Sequence, residues 1–131
     1  MATIKSYTDI EQSRKLAEIL PLESADMFYD GVQDLYKENV YNIPLNGSSI
    51  TVRTGHIITQ KGIKANLLLP CWSLASLVGV LPKIVNNETL FIETSAVLWH
   101  IGYRNIYTAR ADNPVDACVA MIEKLHKLNL L

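Results

Sequence analysis

The longest uncharged run of this chain extends from Ala65 to Leu81, between Lys64 and Lys83, and reads ANLLLPCWSLASLVGVL. Pro70 interrupts it, and it is shorter than the stretch of about 20 apolar residues that a membrane-spanning helix requires. Apolar side chains in such a run leave water only when other parts of the chain cover them. The run therefore predicts the interior of a folded domain, and the remaining segments must supply the layers around it.

Part of this run has the pattern of a short helix that begins after Ser73 and ends before Pro82. Serine is a favourable N-cap residue, and a residue that precedes proline is displaced from the helical region. Four apolar residues recur at helical spacing and share one face: Leu74, Leu77, Val78 and Leu81. We therefore expect a buried helix at this position.

The length and the charge of the chain limit its class. A chain of 131 residues has the size of one domain and can bury a core, so we predict a single domain over residues 1–131. With 12 Lys and Arg against 13 Asp and Glu, the net charge is −1. Such a protein has no overall field that concentrates an anionic partner. We therefore expect neither nucleic acid nor a membrane among its partners.

The N-terminal sequence and the cysteines bear on the compartment. The first residues contain no apolar segment followed by small residues, as a signal peptide would, so we expect a cytoplasmic protein. Cys71 and Cys118 are distant in sequence, and they can pair only if the fold brings their Cα atoms within about 7 Å. Free thiols are the expectation in a reducing compartment.

An N-terminal helix is predicted from Thr8 to Leu20. Thr8 and Glu11 have the spacing of a capping box, in which each side chain accepts a hydrogen bond from an otherwise unpaired amide of the other residue. Pro21 follows the last helical residue and ends the helix. The apolar stripe of this helix is modest, so we expect it to cover the periphery of the core.

The segment from Leu22 to Tyr41 is the most ambiguous one. Four carboxylates recur in it near helical spacing: Glu23, Asp26, Asp30 and Asp34. On a helix they are candidates for a divalent cation site, because hard cations bind several converging oxygen ligands. Side chains along one helix diverge, however, and the alternative interpretation is a solvated acidic face. We favour that alternative, and no metal is predicted.

The dipeptide Asn46-Gly47 is the clearest hairpin signal, because both residues accept the positive φ angles of a type I′ turn. The strand predicted after it, from Ile50 to Ile58, carries Arg53 as its single charge. An edge strand with so little charge is poorly protected against pairing with another chain. We therefore expect a homodimer, with the region Val40 to Ile58 in or near the contact.

Three short strands are predicted in the second half of the chain: Thr89 to Glu93, Ala96 to Tyr103, and Ile106 to Arg110. On the middle strand, alternate residues form an apolar face that we expect to be buried: Val97, Trp99, Ile101 and Tyr103. The loop at Arg104-Asn105 is short enough for a hairpin. An antiparallel arrangement of these strands follows.

The C-terminal helix has independent start signals, with Asn113 as the N-cap, Pro114 at the first helical position and Asp116 in the first turn. Five residues form its predicted buried stripe: Cys118, Met121, Ile122, Leu125 and Leu128. Helices with one apolar face can cover one face of a small sheet. The predicted fold class is therefore α+β, a small antiparallel sheet packed against two or three helices as a two-layer or αβα sandwich.

Three segments carry a resemblance: LPLESADM at Leu20–Met27, PCWSLASLVGVLP at Pro70–Pro82, and ADNPVDACVAMIEKLHKLNLL at Ala111–Leu131. They are similar to segments of small uncharacterised proteins of bacterial genomes and mobile elements. The order of helix, Trp-bearing strand and final helix also resembles the small αβα sandwich proteins of phages. The resemblance implies a fold and a phage or mobile-element setting, and it carries over no activity and no catalytic residue.

Helix, strands and helix are also the order of the double-stranded RNA-binding domain. That module needs a basic start to its last helix, where the helix meets phosphates. Here the last helix starts with Asp112 and Asp116, which would repel phosphate. This comparison leaves the expectation of no nucleic-acid partner unchanged.

Two classes of function follow. The favoured one is a non-enzymatic module that binds a protein partner or itself, because no Gly-rich phosphate loop, metal-ligand spacing or hydrolase motif occurs and no cofactor is implied. The alternative is a small thiol-dependent hydrolase in which Cys71, near a helix N-terminus, is the nucleophile and His56 or His100 is the base. Nothing in the sequence places either histidine beside Cys71. A packed, apolar Cys71 is the interpretation we favour.

Overall fold

The computed structural model describes residues 5–30, 51–55 and 68–131. Its contacts divide the chain into two compact units. The N-terminal unit is Thr8–Ser73, and the C-terminal unit consists of Met1–Tyr7 and Leu74–Leu131. The single domain expected from the chain length stays a prediction.

The described part of the N-terminal unit contains one α-helix and three strands: α1 (Ile10–Ala17), β1 (Met27–Asp30), β2 (Thr51–Thr54) and β3 (Leu68–Cys71). A short 3-10 helix, Leu22–Ser24, precedes β1. The strands form an antiparallel sheet in the order β2-β1-β3, and α1 packs on β3. The predicted turn at Asn46-Gly47 and the end of the predicted strand at Ile58 lie outside the described residues.

The first helix has Asp9 as its N-cap, one residue after the predicted cap, and it ends at Ala17 rather than at Leu20. The Asp9 carboxylate accepts a hydrogen bond from the Gln12 amide at 2.8 Å, and the Gln12 side chain accepts one from the Asp9 amide at 3.1 Å. The capping box predicted for Thr8 and Glu11 is therefore wrong. Thr8 is fully buried, and its hydroxyl accepts a hydrogen bond from the Trp72 amide instead. A tertiary contact therefore uses the side chain that the local pattern predicted as the helix cap.

Within the long uncharged run, Leu68–Cys71 form the strand β3, which the sequence interpretation did not include. In β3, Leu69 pairs with Tyr29 of β1, and these two residues with Cys71 form a buried cluster. Ile10 and Val52 pack against this cluster. Pro70 fits within β3 because this strand lies at an edge of the described sheet, where a missing amide proton is tolerated.

The C-terminal unit contains two helices and four strands: α2 (Leu74–Val80), β4 (Ile84–Val85), β5 (Glu88–Ser95), β6 (Leu98–Tyr103), β7 (Tyr107–Ala111) and α3 (Pro114–Lys127). The strands form an antiparallel sheet in the order β4-β5-β6-β7. The three predicted strands of this region and the helix after Ser73 are confirmed, with shifted ends. The short strand β4 was not predicted.

Tight turns connect these strands. Asn86 and Asn87 join β4 to β5 with φ angles of 50° and 68°, the two positive values of a type I′ hairpin. The turn between β5 and β6 consists of Ala96, with φ at 55°, and Val97. Val97 is 80% exposed, so its predicted place on the buried face of the middle strand is wrong. The residue belongs to the turn, where the alternation of a strand no longer applies.

The last helix begins as predicted, with the Asn113 side chain accepting a hydrogen bond from the Asp116 amide at 2.8 Å and Pro114 in the first turn. It packs over β6 and β7 and against α2. Its inner face is fully buried except at Leu128, which is 43% exposed because the helix ends at Lys127. The predicted place of Leu128 in the buried stripe is therefore wrong.

These elements make the chain an α+β protein, as predicted. Within the described residues the strands form two small antiparallel sheets, of three and four strands, rather than one. In each unit a helix covers one sheet: α1 on β3, and α3 on β6 and β7. No helix in the described ranges is long and apolar enough to cross a membrane.

Candidate functional site

Cys71, the predicted candidate nucleophile, lies at the end of β3 in a fully buried position. Its thiol is 3.4 Å from the Thr8 carbonyl oxygen and 3.6 Å from the Thr8 hydroxyl. The Thr8 hydroxyl is also 2.7 Å from the Ser13 hydroxyl, and the Tyr29 hydroxyl donates to the Thr8 carbonyl at 2.6 Å. Cys71 is thus part of a closed polar network that joins α1 to the sheet.

Burial raises the pKa of the Cys71 thiol above its ordinary value, and hydrogen bonds from neighbours such as Thr8 offset only part of the shift. A thiol with a raised pKa is protonated at neutral pH and is a poor nucleophile. His100 belongs to the C-terminal unit, and His56 lies outside the described residues. The geometry of Cys71 supports the packing interpretation.

The two cysteines give a direct prediction. Both are free and fully buried, and burial raises the pKa of Cys118 to about 12. We expect a colourimetric thiol reagent at pH 8 to titrate neither thiol in the folded protein and both after denaturation without reductant. Rapid reaction of one thiol before denaturation would contradict the burial of Cys71 or Cys118. If no thiol reacts after denaturation without reductant, the two cysteines form a disulfide.

The three described acidic candidates for a metal site occupy three different local structures. Glu23 is exposed in the 3-10 helix. Asp26 accepts hydrogen bonds from the Ser73 amide at 2.9 Å and from the Ser73 hydroxyl, and Asp30 forms an ion pair with Arg53 at 3.2 Å. The described part of this segment contains a 3-10 helix and β1 rather than the α-helix that would align the carboxylates. Among the described residues no group of three or more His, Cys, Asp or Glu could hold a metal ion, and Asp34 lies outside them.

His100 is half-buried in the middle of β6, and its strand neighbours are Glu93 on β5 and Arg110 on β7. Its Nε2 atom is buried and has no hydrogen-bond partner in the described part of the chain. His100 therefore lies between an acidic residue on one neighbouring strand and a basic residue on the other.

The edge predicted for the Ile50–Ile58 strand is seen in part, since β2 lies at an edge of the described three-stranded sheet. Val52 packs against the cluster of Tyr29, Leu69 and Cys71, and Arg53 pairs with Asp30. The apolar side chain of this edge is therefore turned toward its own core. The contact predicted for Val40 to Ile58 otherwise lies outside the described residues.

A second edge, which the sequence interpretation missed, runs along β5. Its neighbour β4 pairs only with Glu88 and Thr89, and the Leu90 amide donates to the Lys83 carbonyl at 2.8 Å. Backbone groups of alternate strand residues point to the same side, so those of Ile92 and Thr94 also point away from β6. Within the described residues these groups have no strand partner.

Exposed apolar side chains lie beside this edge. Ile92 is 41% exposed and Val97, at the tip of the hairpin, is 80% exposed. The directly paired residues of β6 show that Ile92 and Thr94 lie on the same face as Ile101 and Trp99. The helix α3 packs over β6 and β7, and on the β5 part of this face Ile92 and Thr94 are exposed. We call Ile92, Thr94, Ala96 and Val97 the hairpin surface.

The opposite face of β5 is occupied by an ion pair. Arg104 contacts Glu93 at 3.2 Å and lies over the Phe91 ring at 4.7 Å from its centroid. Both charged side chains are about half exposed or more, so the pair contributes little to stability. Glu93 is the single charged residue between Leu90 and Val97 at the hairpin tip.

Comparisons of this chain with protein-family models, with curated proteins and with solved structures found no match. The phage or mobile-element setting that the sequence resemblance implies stays a prediction.

Proposed function

We propose that this protein is a non-enzymatic interaction module that binds a polypeptide chain at the hairpin surface. The observation that carries the proposal is the open backbone edge of β5 beside the exposed side chains of Ile92 and Val97. An unpaired strand edge is a template for an added strand. Exposed apolar side chains next to the edge supply the burial that makes such an addition favourable.

The hairpin surface combines both requirements of strand addition. Backbone groups of Ile92 and Thr94 supply hydrogen bonds that do not depend on the partner's sequence. Val97 and Ile92, which are 80% and 41% exposed, supply apolar contact. The partner is therefore a protein segment in an extended conformation.

The thiol hydrolase remains the alternative, with Cys71 and either His56 or His100 as its residues. A nucleophile has to reach its substrate, and Cys71 has no exposed surface. Its thiol also contacts Thr8 of the same unit. These two facts favour the interaction module over the enzyme.

Photo-crosslinking in cells that naturally express the protein tests the proposal. Val97 is replaced with p-benzoylphenylalanine, and Ala120, an exposed residue on the outer side of α3, is replaced in the same way as a control. We expect irradiation to attach a polypeptide to the Val97 variant and none to the Ala120 variant. Mass spectrometry then identifies the attached chain.

The result separates the alternatives. A polypeptide attached specifically at residue 97 supports the interaction module, whichever chain it is. Equal yields at residues 97 and 120, or no adduct at either position while the protein is folded and expressed, would overturn the proposal.

A further inference from the structure

We propose that the C-terminal unit contains a binding site for a phosphate group, formed by His100 and Arg110 on its four-stranded sheet. The two residues are paired directly across β6 and β7, so their side chains lie on the same face of the sheet. Ile101 and Ala109, which alternate with them along the strands, are buried, and α3 packs over these strands. His100 and Arg110 therefore lie on the face opposite α3.

The His100 ring carries a hydrogen-bonding atom that the protein does not use. Among the described residues, its Nε2 atom is the only buried side-chain nitrogen or oxygen without a hydrogen-bond partner. Nearly all buried polar atoms of folded proteins are hydrogen-bonded, and an exception indicates a functional role or a bound ion or water molecule. The low dielectric constant around a buried atom also strengthens the hydrogen bond that it forms. Nε2 is therefore a donor for a ligand.

Arg110 supplies the positive charge of the site. Its side chain is exposed, and it forms no ion pair with a described residue. Directly paired residues of neighbouring strands have Cα atoms about 4.5 to 5.5 Å apart, so the guanidinium group reaches the space beside the His100 ring. Exposed side chains change rotamer rapidly. Arg110 can therefore move aside for a ligand that contacts His100 and then close over it.

The other charged groups near this site do not cancel its charge. Glu93, the neighbour of His100 on β5, is paired with Arg104 at 3.2 Å. Asp112, two residues after Arg110, is exposed and forms no ion pair with it. On the strands of this face, within the described residues, Arg110 is thus the charged residue without a partner, and the site attracts an anion.

Phosphate is the anion that matches these two donors. A guanidinium group binds two oxygen atoms of a phosphate or of a carboxylate through parallel hydrogen bonds. A phosphate group keeps a further oxygen atom for the N–H group of His100, whereas a carboxylate has no third oxygen atom. The ligand class is therefore phosphate, either as the free anion or as a small phosphate ester.

Nuclear magnetic resonance of the histidine rings tests the site directly. Protein with isotope-labelled histidine is titrated with sodium phosphate at constant pH, and sodium chloride keeps the ionic strength constant. We expect the ring signals of His100 to shift and to saturate. Those of His126, which is exposed near the end of α3, should stay in place and serve as the internal control.

A matched pair of variants tests the role of Arg110. Arg110→Gln is expected to raise the Kd for phosphate by about tenfold or more, because charge-assisted hydrogen bonds are lost. Lys83→Gln removes the same charge from an exposed residue beside β4, at the other side of the sheet. It should change the Kd less than about twofold, because salt screens distant surface charges. Arg110→Lys keeps the charge without the two parallel donors, and its Kd should lie between these values.

The inference is overturned if His100 shifts no further with phosphate than with sodium chloride alone, or if Arg110→Gln and Lys83→Gln have the same Kd. Binding of acetate as tight as that of phosphate would overturn the ligand class. A parallel titration with glycerol 3-phosphate identifies the source of the group, because a lower Kd than that of inorganic phosphate indicates an ester. Photo-crosslinking at Val97 concerns the hairpin surface alone, so this proposal and the proposed function fail separately.

Discussion

Gly102→Ala is expected to destabilise the protein by about 3 kcal/mol or more, because the added methyl group has no space. A Cβ at this position would overlap the Tyr107 carbonyl oxygen and lie 2.8 Å from the Thr108 Cα atom. Both obstacles are backbone, so relief requires that β6 and β7 separate. Urea denaturation monitored by circular dichroism measures the loss.

The matched control is Gly79→Ala in α2. Apart from its two chain neighbours and the backbone of its own helix, no atom of the described residues lies within 4 Å of the Cβ that this change would add. Alanine is favoured over glycine in a helix by about 0.5 to 1 kcal/mol. The same chemical change should therefore stabilise at residue 79 and destabilise at residue 102. A loss below about 0.5 kcal/mol for Gly102→Ala, the size of a typical surface effect, would show that the close approach of β6 and β7 is wrong.

Leu77→Ala and Ile122→Ala are each expected to destabilise the domain by about 2 to 5 kcal/mol, the range for large-to-small changes in a packed core. Both side chains are fully buried, and the helices that carry them, α2 and α3, pack against each other. Removing either side chain leaves a cavity at or near that contact. The free energy of unfolding from urea melts decides the magnitude.

Leu128→Ala provides the control for these two variants. The residue follows the same apolar repeat as Ile122 but is 43% exposed beyond the end of α3. We expect its replacement to cost less than about 1 kcal/mol, because a side chain that stays 43% exposed gains only part of its transfer energy on folding. Equal losses for Leu128→Ala and Ile122→Ala would place the end of the helix inside the core.

The β2 edge and the β5 edge differ in the environment of their side chains. At the β2 edge, Val52 is turned into its own core and Arg53 is paired with Asp30. At the β5 edge, Ile92 remains 41% exposed and the backbone of Thr94 is unpaired within the described residues. An exposed apolar side chain gains free energy on association, whereas a side chain already buried gains none. This difference favours the β5 edge over the β2 edge as a binding surface.

The features that the sequence by itself determined are local ones. The start of α3 depends on Asn113 and Pro114, which act on amides within one helical turn. The helix between Ser73 and Pro82 depends on a repeat and a terminator within the same short segment. The α+β class follows from such segments, because each apolar face needs a layer that covers it.

Features that depend on pairing between distant segments required the tertiary structure. The strand β3 is recognised only through its register with β1, and the acidic segment that contains Asp30 forms a strand because Tyr29 pairs with Leu69 and Val52. Asp9 rather than Thr8 caps the first helix, because the Thr8 hydroxyl accepts a hydrogen bond from the Trp72 amide. In each case a contact between residues far apart in sequence overrode a local preference.

The candidate site divides in the same way. That Cys71 is a packed thiol was predictable from its apolar neighbours, and the network with Thr8 supplied the geometry. The hairpin surface was not predictable from the sequence. Val97 continues the apolar alternation of β6, and this pattern does not show that the residue belongs to the turn before the strand. Whether Ile92 and Thr94 face a neighbour or an open edge depends on where β4 stops. The sequence pattern predicts the face on which each side chain lies, because that depends on alternation along one strand. Which backbone groups stay unpaired depends on the neighbouring strands, and therefore on the tertiary structure.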